Sequence, residues 1–310
     1  MFKNNQGNDN SLETPQQGQQ RKIKPSYKDK ITPVQLIVLG YLFFAVFGAL
    51  ILSLPISLKP GVNITPIDAF FVATSAISVT GLTPLTIKET FSNFGIAVLL
   101  IYFQLGGIGI MTLGVSMYVA FGRQIGLKNR IMIKIDQNQP SLSGLVRLMI
   151  FIFKISLTIQ FIGALILLLF FYQVYDYNFT TSIKLAVFHA ASGFTNAGFD
   201  LFSNNSHDFR EDYIFKTSVG ILMFLGAIGF PVLLEVKQWI LSKNIKFSLF
   251  TKLNVITYIS LLFIGIVTIL IFESEKALLG LPWHEKLSVT IFQSLTTRST
   301  GLSIFDVSLF

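Results

Sequence analysis

The run Ser78-Val79-Thr80-Gly81 returns twice in altered form, as Thr195-Asn196-Ala197-Gly198 and as Arg298-Ser299-Thr300-Gly301. Each copy closes a short, mostly apolar segment: residues 66–77, 181–194 and 282–297. Around them lie five longer apolar segments, residues 33–54, 93–121, 148–172, 213–240 and 250–272. Each of these is long enough to cross about 30 Å of hydrocarbon as a helix, and the short ones are not. A short apolar helix ending in a glycine turn between two spans reads as a re-entrant half-helix. Such backbone survives at membrane depth only where protein or a water-filled cavity satisfies its polar groups.

Composition agrees. Hydrophobic residues make up 52% of the 310 and charged residues 13%, against about 25% charged in a soluble domain. A chain so poor in charge cannot cover its own surface in water, and the fold class is an all-α integral membrane protein. Cysteine is absent, which removes disulfides and thiolate metal sites. Residues 1–32 differ from the rest: they are polar, hold Arg21, Lys22, Lys24, Lys28 and Lys30, and read as a disordered tail able to touch anionic lipid. They contain no apolar run of the kind a secretory signal needs.

Charge sets the orientation. Arg123, Lys128, Arg130, Lys134 and Arg147 fall in one connection, and Lys237, Lys243, Lys246 and Lys252 around another. The opposite loops hold Asp176, Asp200, Asp208, Glu211, Asp212, Glu273 and Glu275. An excess of Lys and Arg marks cytoplasmic loops, so the tail is cytoplasmic and the three half-helices lie on the outer side. The net charge of +8 reports this orientation and not a nucleic-acid partner.

The chain repeats internally. At one constant offset Ala69, Phe71, Ser75 and Gly81 fall on Ala186, Phe188, Ser192 and Gly198. Leu105-Gly106-Gly107-Ile108-Gly109 reappears as Leu225-Gly226-Ala227-Ile228-Gly229, and Thr80-Gly81-Leu82 as Thr300-Gly301-Leu302. The organisation that follows is a tail (1–32), a first unit (33–121), a basic cytoplasmic connection (122–147), a second unit (148–240), a further connection (241–249) and part of a third unit (250–310). With two spans and one half-helix per unit, every copy enters from the same side. Parallel copies can surround an axis along the membrane normal.

A cation leaving water needs oxygen ligands, and backbone carbonyls supply them when several point inward in succession. Glycine tolerates the dihedrals this requires. Gly81, Gly198 and Gly301 are the candidate positions, with Val79, Thr80, Asn196, Ala197, Ser299 and Thr300 supplying neighbouring carbonyls. Ser78, Thr195 and Arg298 are the supporting residues that precede each triplet. The half-helices turn their negative dipole ends to the loops, which favours a cation. The competing reading of any one glycine is an ordinary turn after a helix; three in register favour a filter.

The stretches Ser75–Leu82, Gln104–Gly109, Phe188–Phe199 and Gln293–Gly301 together resemble the membrane subunits of bacterial Ktr/Trk-type potassium transporters, KtrB-like ones most closely. The resemblance covers nearly everything from Pro33 onward. It implies four such units around one K⁺ pore in the cell membrane, one filter glycine from each, and possible Na⁺ coupling. It further implies homodimers on a cytosolic ring of nucleotide-binding gating subunits. Two complete units and part of a third, 2.5 of four, are present here. The expectation is therefore a transport subunit that works only with its remaining units, or else a truncated, non-conducting fragment that binds or regulates a longer relative. No cofactor beyond K⁺, and Na⁺ if coupled, is expected.

Other residues admit quieter readings. Arg298 either braces the third loop through carbonyls behind it or lies exposed in an outer loop. His189 has no His, Asp or Glu at helical spacing and reads as a packing residue, not a metal ligand. Asn196 either tunes the filter or simply hydrogen-bonds its neighbours. Asp68 caps a half-helix or draws cations to the mouth, for which Asp200 is the better placed. Lys154, Lys216 and Glu235 lie near span ends and can snorkel to the interface. Glycines 106, 107, 109, 226 and 229 allow close packing or act as hinges. No HExxH, Gly-x-Ser-x-Gly or P-loop signature occurs, nor paired carboxylates on one span face, so the chain does not read as an enzyme.

Overall fold

The structure, a computed structural model, describes residues 33–122, 125–136, 143–202, 206, 209–242 and 246–304. The expected tail, and Arg123, Asp208 and Lys243, lie outside these residues. The described elements are α1 (Pro33–Leu52), α2 (Pro66–Ile77), α3 (Ile87–Thr90), α4 (Asn93–Gly107), α5 (Ile110–Ala120), α6 (Leu127–Asp136), α7 (Leu145–Gln173), α8 (Phe179–Thr195), α9 (Tyr213–Ala227), α10 (Phe230–Ser242), α11 (Leu249–Glu273) and α12 (Trp283–Ser299). By length and composition α1, α7 and α11 can each cross a membrane alone, and α4–α5 and α9–α10 can do so as pairs.

Local chemistry explains the starts of these helices. Thr65 and Asp68 form a reciprocal capping box at α2: the Thr65 hydroxyl accepts from Asp68 N at 3.1 Å, and the Asp68 carboxylate accepts from Thr65 N at 3.3 Å. This accounts for Asp68 as a cap. Asn178 accepts from Thr181 N at α8, and Ser248 from Thr251 N at α11. Glu235 of α10 accepts from Ser248 N at 2.9 Å, so this carboxylate secures the start of α11.

The apolar runs 93–121 and 213–240, which read as unbroken spans in the sequence, are each broken in the middle. The bends are 97° and 101°. Both occur at the third small residue of the repeated motif, where Gly109 and Gly229 each take φ +95°. A helix cannot continue through that dihedral, and an L side chain rarely adopts it. Pro231 then falls in the first turn of α10, where its missing N–H costs nothing. The last carbonyl before the second break, Ile228 O, accepts from Asn254 Nδ2 at 2.9 Å, so it is not left bare.

Packing repeats in chain order. The long helices α1, α7 and α11 lie on α2, α8 and α12 respectively. The helix α4 packs on both α2 and α8, and α9 on both α8 and α12. The larger core joins α2, α4, α7, α8, α9 and α12, with Phe103, Phe171, Phe188, Phe199, Phe215 and Phe292 among its fully buried side chains. Phe103 stacks on Phe199 at 5.1 Å and meets Phe188 edge-on at 5.2 Å. Lipid is as apolar as these side chains, so dispersion from close fit holds such a core together. A second, smaller core joins α5, α6 and α7 through Ile133, Leu145, Met149 and Ile152.

Two of the expected interfacial residues divide. Lys154 is exposed, but Lys216, in the first turn of α9, is only 3% exposed. Its amine sits 4.4 Å above the Tyr213 ring and has no hydrogen-bond partner among the described residues. Lys216 is therefore packed against an aromatic face, unlike the exposed Lys154.

Candidate functional site: three converging glycine turns

The C-terminal ends of α2, α8 and α12 meet. Gly81, Gly198 and Gly301 take φ of +79°, +74° and +76°, the left-handed conformation that favours glycine. A Cβ placed on Gly81 would lie 2.5 Å from Ala197 O and 2.9 Å from Gly198 Cα. One placed on Gly198 would lie 2.0 Å from Thr300 O. One placed on Gly301 would meet nothing within 4 Å among the described residues. The first turn thus faces the second and the second faces the third, while no described residue crowds Gly301. All three glycines line one cavity of about 410 Å³ together with Thr83, Asp200 and Ser303.

The first two turns have the same backbone. Val79 N donates to Ala76 O and Asn196 N to Gly193 O; Thr80 N donates to Ser75 O and Ala197 N to Ser192 O. This pair of bonds is a Schellman ending, whose left-handed position usually carries glycine. Here it carries Val79 at φ +57° and Asn196 at φ +59°. Asparagine tolerates that conformation, but a β-branched valine stores strain of about 1–2 kcal/mol there. In both turns a second left-handed residue, the glycine, follows two positions on. The third turn differs: α12 runs on to Ser299, Thr300 has φ −112°, and Gly301 alone is left-handed. Its N–H donates to Thr296 O at 3.0 Å.

Hydroxyls tie the turns to their helices. Ser192 Oγ donates to Phe199 O at 2.6 Å, and Thr296 Oγ1 donates to Leu302 O. Ser78 Oγ lies 2.7 Å from Thr80 Oγ1 and donates to Thr74 O, while Thr195 Oγ1 donates to Ala191 O at 2.8 Å. Turn two is buried from Thr195 to Ala197, whereas Ser78 and Thr80 of turn one are exposed.

The glycines of the second spans explain how the turns come so close. A Cβ on Gly106 would sit 2.3 Å from Ile77 O, at the end of α2, and one on Gly107 would sit 2.4 Å from Thr195 Cβ, at the end of α8. A Cβ on Gly226 would sit 1.7 Å from Phe194 O. These three are packing glycines against half-helix ends, while Gly109 and Gly229 are the points of bending.

Arg298 is anchored through a carbonyl behind the third turn, on a neighbouring helix. Its Nη1 donates to Tyr258 O at 2.8 Å, and its guanidinium lies 3.8 Å over the Tyr258 ring. It fastens the end of α12 to the long helix α11 and reaches none of the carbonyls of its own turn. No sequence spacing links Arg298 to Tyr258. His189 packs as expected: its ring stacks on Phe202 at 4.4 Å, Nδ1 lies 2.7 Å from Leu185 O, and Nε2 accepts from Leu201 N. Asp200 lines the cavity and accepts from Phe202 N at 3.1 Å. Burial raises its carboxyl to about 6, partly offset by that N–H. The negative charge that Asp200 contributes to the cavity is lost as pH falls through that value.

These features define a multi-pass, all-helical membrane protein with three helix ends converging on one polar cavity. A family model described as TrkH, cation transport protein, matches residues 30–310. The chain is 43% identical over 280 residues to Ktr system potassium uptake protein D of Bacillus subtilis, covering 90% of this chain and 62% of that protein. It is 36% identical to Ktr system potassium uptake protein B of the same organism, covering 90% and 63%, and 32% identical to potassium/sodium uptake protein NtpJ of Enterococcus hirae, covering 92% and 62%. The chain belongs to the TrkH family of cation transport proteins. That is a family of transporters and not of enzymes. The chain spans a little under two thirds of the length of these relatives.

Proposed function

We propose that this chain lines a potassium uptake pathway across the cell membrane. Main-chain oxygens of Val79-Thr80-Gly81, Asn196-Ala197-Gly198 and Ser299-Thr300-Gly301 replace the water of a K⁺ ion as it passes. The observation that carries this reading is the convergence of three helix C-termini, each ending in a left-handed glycine, on one polar cavity. The negative ends of three helix dipoles and the Asp200 carboxylate favour a cation there. Gly81 and Gly198 touch, so a cation held between their carbonyls parts the two turns. A fourth turn, from a further unit, fills the open side between Gly301 and the exposed face of turn one. The names of the relatives support K⁺ as the ion, and the name of NtpJ brings in Na⁺ as the competitor to test.

In this reading the tail is cytoplasmic and the cavity opens outward. The membrane potential then drives inward movement with about 2.3 kcal/mol per charge per 100 mV. A homodimer on a nucleotide-binding cytosolic ring belongs to the same proposal, supported by the description of two relatives as parts of Ktr systems.

The test is ⁸⁶Rb⁺ uptake by the gene product in a bacterium lacking its own potassium uptake systems. Unlabelled K⁺ should suppress the signal at concentrations where Na⁺ does not. Equal suppression by both ions would remove the selectivity claim. No uptake, together with binding to a longer relative, would favour the regulatory-fragment reading.

A further inference from the structure

Asn196 has the left-handed backbone (φ 59°, ψ 35°) that ends α8, and it is 8% exposed. A glycine would hold that conformation with less strain, so the side chain needs a reason of its own. Its amide makes four hydrogen bonds, to three separate elements. Nδ2 donates to Phe194 O at 3.3 Å, within its own helix end, and to Met223 O at 3.4 Å in α9. Oδ1 accepts from Ser299 Oγ at 2.9 Å and from Thr300 Oγ1 at 2.7 Å in the third turn. The two donors and two acceptor sites of the amide are all engaged. The access it uses depends on Gly226, where a Cβ would lie 2.9 Å from Nδ2. Turn one has an apolar Val79 at the matching place, so among the described residues this link joins the second and third turns and not the first.

We propose that Asn196 is a positioning residue for ion selection. Its side-chain amide fixes the third turn against the second and so sets the spacing of their carbonyls. The third turn keeps only the longer of the two Schellman bonds, Gly301 N to Thr296 O, and Asn196 supplies a further constraint from outside. The inference rests on the filter reading given above.

The test measures Na⁺ against K⁺ inhibition of ⁸⁶Rb⁺ uptake in four variants of the gene product. Asn196→Gly keeps the left-handed backbone and removes the amide. The pair Ser299→Ala/Thr300→Val removes the donors at the other end and leaves residue 196 intact. The third variant combines the two, and Gly198→Ser serves as the reference for the filter itself. Asn196→Gly and the Ser299/Thr300 pair should each raise sensitivity to Na⁺ by roughly tenfold, the scale of one or two lost hydrogen bonds. The combination should do no more than either alone, because both remove one shared link. Wild-type discrimination in Asn196→Gly, or full additivity in the combination, would overturn the proposal. If Asn196→Gly fails to accumulate in the membrane, Thr300→Val alone carries the test, since no special dihedral is at stake there. If Gly198→Ser also leaves selectivity unchanged, the filter reading itself fails; if it alone abolishes selectivity, only the role of Asn196 falls.

Discussion

Replacing Gly198 by serine should abolish discrimination between K⁺ and Na⁺, and do so more completely than the same change at Gly81 or Gly301. Two costs coincide at Gly198. Its φ of +74° penalises any L side chain by about 1–2 kcal/mol. The new Cβ would also sit 2.0 Å from Thr300 O, a main-chain atom that moves only if the third turn moves. At Gly81 the dihedral cost is the same and the collision, at 2.5 Å with Ala197 O, is milder. At Gly301 only the dihedral cost remains, because the space beside it is open among the described residues. The measurement is the Na⁺-to-K⁺ ratio for inhibition of ⁸⁶Rb⁺ uptake, with membrane abundance matched by immunoblot. The expected order of damage is Gly198, then Gly81, then Gly301. Greatest damage at Gly301 would mean that the contacts between turns are not what sets the filter.

Replacing Gly226 by alanine should be strongly destabilising, since an added methyl there makes the closest approach of any described glycine. The Cβ would lie 1.7 Å from Phe194 O and 2.8 Å from its carbon. That carbonyl also accepts from Asn196 Nδ2, so relief of the clash breaks the amide link as well. Overpacking of this kind costs about 3 kcal/mol, which corresponds to a fall in midpoint of roughly 6–12 °C on heating in detergent. Gly220 is the control on the same helix: a Cβ there would meet Leu295 Cδ1 at 3.5 Å, an ordinary contact. Gly220→Ala should shift the midpoint little. Equal shifts for the two variants would contradict the claim that α9 seats directly on the end of α8.

Much of this architecture could be read from the sequence because local chemistry marks it. The helix α2 begins at Pro66 and ends at Ile77, as the sequence suggests, since Thr65, Pro66 and Asp68 all signal one start. The ends of α8 and α12 fall within two residues of the sequence reading, because Asn196 and Gly301 mark them. The breaks after Ile108 and Ile228 could not be read in this way. The apolar runs continue through them, and in Leu-Gly-Gly-Ile-Gly nothing tells a glycine that packs from one that bends. Gly106 faces a neighbouring carbonyl, and Gly109 turns the chain. Only the three-dimensional neighbours separate the two roles. The placement of Arg298 was hidden for the same reason: its partner Tyr258 lies on another helix, an aromatic face with no charge pattern to announce it. The left-handed Val79 is the most informative surprise. Propensity argues against valine there, and backbone strain of that kind collects where function requires a set geometry.

Diffraction from crystals of the protein grown in Rb⁺ puts the main claim to its most direct trial. The account predicts an anomalous peak between the three turns, ligated by main-chain oxygens from residues 79–81, 196–198 and 299–301. A peak held only by the Asp200 carboxylate, or none between the turns, would contradict it.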